Sequence, residues 1–337
     1  MKIYIRSKGG LSYGWGHVVR SLTLSCYLNK SENSVQVLCA VEGDNAIKKF
    51  ISKQKVPFLY MNVGISIKDE GHHLKEFKPD VIVVDMLEVP TELLSIFRKH
   101  CEKLAIFNDL GLDYGIGDII ISPQLLSTYT VQRNGQKHLN GTDYFIVSEK
   151  MQKAASLHRD ISPKAESLLI VMGGCIDLQI FEKIIQVING ILHLNLKIYF
   201  ILGYEYNFNL SNFRYLESRG VKFVSGTDNI GEWMAIADMA FASSGYVKYE
   251  LAAIGVPSIL VSIVDHQEVL AESFVEKGQC AEYIGDIRYL DIVKLTEAIN
   301  KLVHNHDKRK EMSENGKQLI DGKALDRIEN EITLSLR

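Results

Sequence analysis

Short apolar runs alternate with longer amphipathic stretches along this chain, and the alternation predicts strands and helices in turn. Residues 3–5 read as a buried strand. Residues 16–29 read as a helix, with Val18, Leu22, Leu24 and Leu28 near helical spacing. Strands follow at 35–39, 81–84, 104–107 and 119–121, the last stopped by Ser122-Pro123. Helices fall near 44–54, opened by Asp44 as N-cap, and at 90–100. A polar, helix-like stretch at 148–160 precedes a second series, with strands at 167–172, 198–201, 221–224, 239–242 and 258–263. Its helices are predicted at 177–193, 229–236, 246–254, 265–277, 290–303 and 307–319. Regular strand–helix alternation indicates an α/β protein with largely parallel sheets. The repeated architecture predicts two doubly wound, Rossmann-like domains, residues 1–155 and 156–337, facing a central cleft. Ligands of such sheets bind beyond the carboxyl ends of the strands.

Length agrees, since 337 residues at roughly 150 per domain suggest two domains. Hydrophobic residues make up 46% and charged residues 23%, which excludes a disordered or collagen-like chain. The net charge of −3 offers no basic surface for nucleic acid, but leaves room for a local pocket that takes a small anion. The five cysteines form no CxxC pair and sit in apolar surroundings, so free thiols in a reducing cytoplasm are expected rather than disulfides or a metal site. The first six residues are interrupted too early for a signal peptide, and no window approaches ~18 apolar residues. A cytoplasmic protein without stable membrane insertion is expected.

Three glycine-containing turns carry candidate chemistry. The first runs from Gly9-Gly10 to Gly14-Trp15-Gly16-His17-Val18-Val19-Arg20, between a strand and a helix. Its glycines let the backbone approach a ligand, and the helix start offers N–H groups to an anion. The GxGxxG dinucleotide spacing is absent. His17 falls in the first helical turn, where the helix dipole favours the neutral imidazole that a general base requires. The bland alternative is a helix-end histidine bonded to a carbonyl. The second turn, Met172-Gly173-Gly174-Cys175, suits either phosphate contact or a tight strand–helix turn, with Asp177 as the next N-cap. The third, Ala242-Ser243-Ser244-Gly245-Tyr246, leads into a helix carrying Lys248 and Glu250. Hydroxyls and N–H groups there suit a diphosphate, Lys248 adds charge, and a carboxylate at Glu250 could accept two ribose hydroxyls. A solvated helix face is the ordinary place for such a glutamate. His266 and Gln267 open the next helix, where His266 could equally be an exposed cap-region residue.

The set Arg6 … Gly14-x-Gly16-His17-x-x-Arg20, Gly173-Gly174-x-x-Asp177, Ser244-Gly245 … Glu250 … Gly255-Val256-Pro257, Asp265-x-Gln267 and Asp321-Gly322-Lys323-Ala324 … Arg327 resembles an ordered family signature. The family is that of the UDP-sugar hydrolase of pseudaminic acid biosynthesis and the related spore-coat polysaccharide biosynthesis proteins. The C-terminal part is shared with GT-B glycosyltransferases such as the GlcNAc transferase of peptidoglycan synthesis. The resemblance implies a GT-B fold, a nucleotide held by the second domain, and His17 as the base that activates water at the anomeric carbon, with no metal or organic cofactor. It places substrate contacts on Arg6, Gly14, Gly16, Arg20, Asp85, Asn108 and Asp109 in the first domain. In the second it places them on Gly173, Gly174, Ser243, Ser244, Gly245, Tyr246, Glu250, His266 and Gln267.

Four departures concentrate in the first domain. Arg6-Ser7-Lys8 replaces Arg-x-Asp, and Asp85-Met86-Leu87-Glu88 replaces a turn with an aromatic. Asn108-Asp109 replaces an Asp-Asp pair, and Ser122-Pro123-Gln124 replaces Asn-x-Asn. The expected activity is therefore hydrolysis of a different nucleotide-activated sugar in surface-glycan precursor synthesis. A glycosyltransferase and a non-catalytic nucleotide-sugar binder are the alternatives. The residues leave the sugar, the nucleotide base and the oligomeric state open.

Overall fold

Every strand pairing among the described residues is parallel, and the strands gather into two separate sheets. The structure is a computed structural model that describes residues 1–10, 14–31, 35–54, 56–126, 132–173, 177–203, 209–227 and 229–333. The chain separates into two compact units, one formed by the first 148 residues together with the chain from Gly322 onward, the other by Glu149–Asp321.

The first unit runs β1 (Lys2–Lys8), α1 (Gly16–Ser31), β2 (Gln36–Gly43), α2 (Asn45–Ile51), β3 (Phe58–Asn62), α3 (Ile67–Phe77), β4 (Val81–Asp85), α4 (Thr91–Lys99), β5 (Lys103–Phe107), β6 (Ile119–Ser122) and β7 (Lys137–Asn140). The sheet order is β3-β2-β1-β4-β5-β6-β7. Strands β4, β5 and β6 are buried along their whole length. A parallel sheet covered on both faces demands that, and it is why these strands read as unbroken β-branched or aliphatic runs. The core includes Tyr4, Ile82, Val84, Phe97, Leu104 and Ile106.

The second unit runs α5 (Glu149–Ala155), β8 (Ser167–Val171), α6 (Leu178–Ile191), β9 (Lys197–Leu202), α7 (Arg214–Glu217), β10 (Val221–Ser225), α8 (Ile230–Ile236), β11 (Met239–Ser243), α9 (Val247–Ile254), β12 (Ser258–Ser262), α10 (His266–Gly278), β13 (Ala281–Asp286), α11 (Ile292–His304) and α12 (His306–Leu319). Its sheet order, β10-β9-β8-β11-β12-β13, repeats the pattern of the first. Asp177 caps α6 by accepting from the Ile180 N–H at 2.8 Å, as its position predicts.

The units divide differently from residues 1–155 and 156–337. Helix α5 belongs to the second unit because Met151 and Ala154 pack on α8 at Gly231, where an added Cβ would lie 3.1 Å from Met151 Sδ and 3.2 Å from Ala154 Cβ. The last helix, α13 (Ala324–Thr333), belongs to the first unit. It buries Leu325, Ile328 and Ile332, and Lys103 Nζ donates to the terminal carbonyls of Glu331 and Ile332 at 3.2 and 3.3 Å. A cation at a helix C-terminus is favoured by the helix dipole.

Candidate functional site

In the first unit the strand order reverses between β1 and β4, and Ser7 stands opposite Asp85 at the carboxyl ends of these strands. Such switch points are where doubly wound sheets bind ligands. The glycine loop between β1 and α1 lies tight against the helix: a Cβ on Gly9 would meet Val18 Cγ2 at 2.5 Å. Gly10 and Gly14 bridge the loop through a 3.0 Å bond from N–H to carbonyl, Gly14 at φ +75°. Gly16 is the first residue of α1.

Positions 17, 20 and 21 lie on one helical face, the i, i+3, i+4 relation. All three side chains reach Asp85. His17 Nδ1 lies 2.8 Å from Asp85 Oδ1. Arg20 donates to both carboxylate oxygens, Nε to Oδ2 at 2.7 Å and Nη2 to Oδ1 at 2.5 Å, and Ser21 Oγ donates to Oδ2 at 3.2 Å. Arg20 also donates to both oxygens of Asp109, at 3.1 and 3.0 Å, and its guanidinium stacks 4.2 Å over the Phe107 ring. Arg20 Nη2 lies 3.3 Å from His17 Nδ1. The shorter carboxylate contact sets the tautomer: Nδ1 carries the proton toward Asp85, and Nε2 is the nitrogen able to take one up.

Asp85 is 0% exposed, Arg20 2%, Asp109 3% and His17 6%. Asp85 and Arg20 thus reach His17, Asp109 and each other inside the unit. Burial alone would push the Asp85 pKa up, but the Arg20 charge and the His17 bond outweigh it and hold the carboxyl below its usual range. Burial would lower the Arg20 pKa, and Asp109 with Asp85 reverses that to a net rise. Two carboxylates and one guanidinium sum to −1, and a proton received by His17 brings the cluster to zero.

Arg6 is likewise enclosed. It donates from Nε to Glu70 at 2.9 Å, from Nη2 to Glu42 at 2.6 Å and from Nη1 to the Ser7 carbonyl at 2.6 Å. Tyr4 also bonds Glu70, and Lys8 pairs with Glu42 at 3.2 Å. The guanidinium expected at the sugar thus braces β1 against β2 and α3. Asn108 spends its amide on a local turn, donating to the Leu112 carbonyl at 2.7 Å and accepting from the Leu112 N–H at 2.8 Å. Glu42 and Glu70 escape a motif reading because they stand far along the chain from Arg6, and α3 is polar over most of its length.

In the second unit the order reverses between β8 and β11, which end at Val171 and Ser243. Gly173 follows at φ +88°, a left-handed conformation that favours glycine; Gly174 lies outside the described residues. Ser243 Oγ points between two turns, 3.9 Å from the positions a Cβ would take on Gly173 and on Gly245. Gln267 Oε1 accepts from the Ile263 N–H at 3.1 Å, which directs its Nε2 over Gly245, 3.3 Å from that Cβ position. Among the described residues, no acceptor takes the Ser243 hydroxyl, the Gly245 N–H or Gln267 Nε2. Three unspent donors at one turn are suited to an anion. Ser244 is fully buried, with Oγ 3.1 Å from Ser262 Oγ, so it supports the turn from within. Tyr246 occupies the N-cap of α9, half-buried. His266 is exposed at the start of α10, unlike its neighbour Gln267.

Glu250 is the one residue of α9 that is not buried, yet it remains half-covered. No described group bonds its carboxylate, and burial raises its pKa to about 7. A solvated helix face does not fit these surroundings. Lys248, expected to add charge at the ligand, points inward instead, with Nζ donating to the Ser244 carbonyl at 2.7 Å.

Two Rossmann-like units in succession make the GT-B fold, and comparison with solved structures agrees. The chain is similar to Acinetobacter baumannii MurG, with a TM-score of 0.68 at 12% identity over 98% of both chains. It is also similar to the UDP-GlcNAc 2-epimerase of Methanocaldococcus jannaschii, with a TM-score of 0.59 at 15% identity over 99% of this chain and all of that one. Residues 168–328 match the family described as Glycosyltransferase family 28 C-terminal domain. Among curated proteins, the chain is 24% identical to the spore coat polysaccharide biosynthesis protein SpsG of Bacillus subtilis, over 97% of this chain and 96% of that one. It is 23% identical to an uncharacterized protein of M. jannaschii over 82% of this chain, a match that spans 59% of that protein. Among the described residues, no helix is long and apolar enough to cross a membrane.

Proposed function

We propose that this protein hydrolyses a nucleotide-activated sugar used in polysaccharide biosynthesis, with His17 as general base and the Ser243–Gly245 turn as the diphosphate site. The observation that carries the reading is the 2.8 Å contact from His17 Nδ1 to a buried aspartate, the arrangement that orients a catalytic imidazole. In the reaction, Nε2 takes a proton from water as its oxygen bonds to the anomeric carbon. The bond from that carbon to the phosphate oxygen breaks, and its electron pair leaves with the nucleoside diphosphate. The imidazolium then faces Asp85 and Asp109 with the cluster's charge at zero. In the second unit, Ser243 Oγ, the Gly245 N–H and Gln267 Nε2 would receive the diphosphate oxygens. Glu250 would accept the ribose hydroxyls as a carboxylate, giving up the proton that burial favours.

Arg6, Arg20, Asp85 and Asn108 in this reading shape the first unit rather than contact the sugar. The similarity to SpsG supports a polysaccharide precursor as the context. The family 28 match supports a transferase as the second reading, in which His17 would deprotonate an acceptor hydroxyl instead of water.

The test is a screen of UDP-, GDP-, CMP- and dTDP-sugars for nucleotide release, with and without candidate acceptors. Release with an equal amount of free sugar supports hydrolysis. Acceptor-dependent release supports transfer, an isomeric nucleotide sugar supports epimerisation, and binding without turnover leaves a binder.

A further inference from the structure

Lys248 sits on a helix whose neighbouring positions Val247, Tyr249 and Leu251 are buried and apolar, and it is itself 1% exposed. Taking an ammonium out of water costs several kcal/mol, so an aliphatic residue would fill this place with less strain on folding. The charge reaches back to the turn that precedes the helix. Nζ donates to the Ser244 carbonyl at 2.7 Å and approaches the Gly245 carbonyl at 3.4 Å. The Tyr249 and Phe274 rings flank it at 4.7 and 5.7 Å from their centroids.

We infer that Lys248 is a positioning residue for anion binding, which sets the orientation of the Ser243–Gly245 turn from its buried side and makes the turn selective for phosphate-bearing ligands. The inference rests on the nucleotide-site reading above. Its physical basis is the planar trans peptide: where a carbonyl turns toward Nζ, the N–H of the same peptide turns away. The peptides joining residues 244 to 245 and 245 to 246 therefore direct their N–H groups away from the lysine. The Gly245 N–H is one of the three unspent donors. The buried ammonium also places a positive charge behind the turn, in surroundings that screen it less than water does.

The test compares wild type, Lys248→Met and Lys248→Gln by calorimetric titration with UDP and with uridine, and with GDP, CDP and dTDP against their nucleosides. In wild type one diphosphate binds more tightly than its nucleoside. Lys248→Met should weaken that diphosphate by about tenfold or more and leave the nucleoside within about twofold, the loss of a charged group's field and of the oriented Gly245 donor. Lys248→Gln keeps a donor for the carbonyls without the charge; it should fall between the two, and it serves as the test if the methionine variant does not fold. Equal losses for diphosphate and nucleoside, or no loss, would show a lysine that only packs the helix and would overturn the inference. A wild type that prefers none of the four diphosphates over its nucleoside overturns the nucleotide-site reading and the role of Lys248 with it.

Discussion

Replacing Asp85 by asparagine tests the dyad through hydrogen-bond geometry, because the amide has one acceptor where the carboxylate has two. Asp85 Oδ2 receives Arg20 Nε and Ser21 Oγ, while Oδ1 receives His17 Nδ1 and Arg20 Nη2. If the amide oxygen takes the Oδ1 place, its NH2 meets the Arg20 Nε–H head-on, donor against donor. If it takes the Oδ2 place, its NH2 points at His17 Nδ1 and makes that nitrogen an acceptor. Either orientation sets the NH2 against one Arg20 donor, but in the second Arg20 Nη2, 3.3 Å from His17 Nδ1, can share the nitrogen that has become an acceptor, and that orientation is the one expected. It moves the imidazole proton to Nε2, which can then accept none from water. A reversed tautomer in a histidine–aspartate pair costs up to ~10⁴-fold in turnover, as in the serine-protease example, and we expect roughly 10²–10⁴-fold here. Arg20 keeps Asp109, so the buried cluster loses one charge and one hydrogen bond, a stability cost of about 1–3 kcal/mol. Turnover should be measured at saturating nucleotide sugar, with circular dichroism to establish folding and calorimetry to establish unchanged nucleotide affinity. A folded Asp85→Asn protein that turns over at the wild-type rate would refute the assignment of the tautomer and of the base.

Three further outcomes follow from other parts of the molecule. Glu250 is raised to about 7 in the folded protein, so its contribution to stability is full below its unfolded value and is lost as pH rises toward and through 7. Glu250→Gln should therefore melt progressively higher than wild type as pH rises from about 4.5 to 8, and a pH-independent difference in melting temperature would contradict this. Because ribose hydroxyls favour the carboxylate, nucleotide binding near pH 6 should release a proton in wild type and not in Glu250→Gln, read from titrations in buffers of different ionisation enthalpy. Ile328→Ala, at a position that is 0% exposed on α13, should destabilise the first unit by about 2–5 kcal/mol. Urea unfolding followed by Trp15 fluorescence in a Trp233→Phe background reads that unit, and an unmoved midpoint would detach α13 from it.

Central strands were legible from their residues because burial on both faces leaves a continuous apolar signature, as at 81–85, 119–122 and 239–243. Three edge strands were not, although the edge strand β10 was read at 221–224. β3, β7 and β13 carry exposed or half-exposed positions among charged and small residues, and each lies at an end of its sheet. α3 buries only Glu70 and Leu74, so its face toward the sheet is partly a salt-bridged glutamate and carries no apolar stripe. α13 does carry a readable stripe in Leu325, Ile328 and Ile332; what the chain's order could not convey is that it returns to the first unit. At the sites, motif spacing brought out His17, Ser243, Gly245 and Glu250. It could not tell contact residues from supports, since whether Arg6, Arg20 or Asp85 faces a ligand depends on partners 36 to 89 positions away. Lys248 showed the same limit, because helix periodicity does not reveal a cation folded inward onto its own turn.

The central claim, that His17 delivers water to an anomeric carbon, is tested most directly by turnover in ¹⁸O-labelled water with wild type and His17→Asn at equal nucleotide-sugar occupancy. Asparagine preserves hydrogen bonding to Asp85 but accepts no proton. The account predicts that wild type forms free sugar carrying one ¹⁸O at its anomeric hydroxyl and nucleoside diphosphate carrying none. It predicts that His17→Asn binds the nucleotide as wild type does and reacts about 10²–10⁴-fold more slowly. Equal rates for the two proteins, or label in the phosphate instead of the sugar, would contradict it.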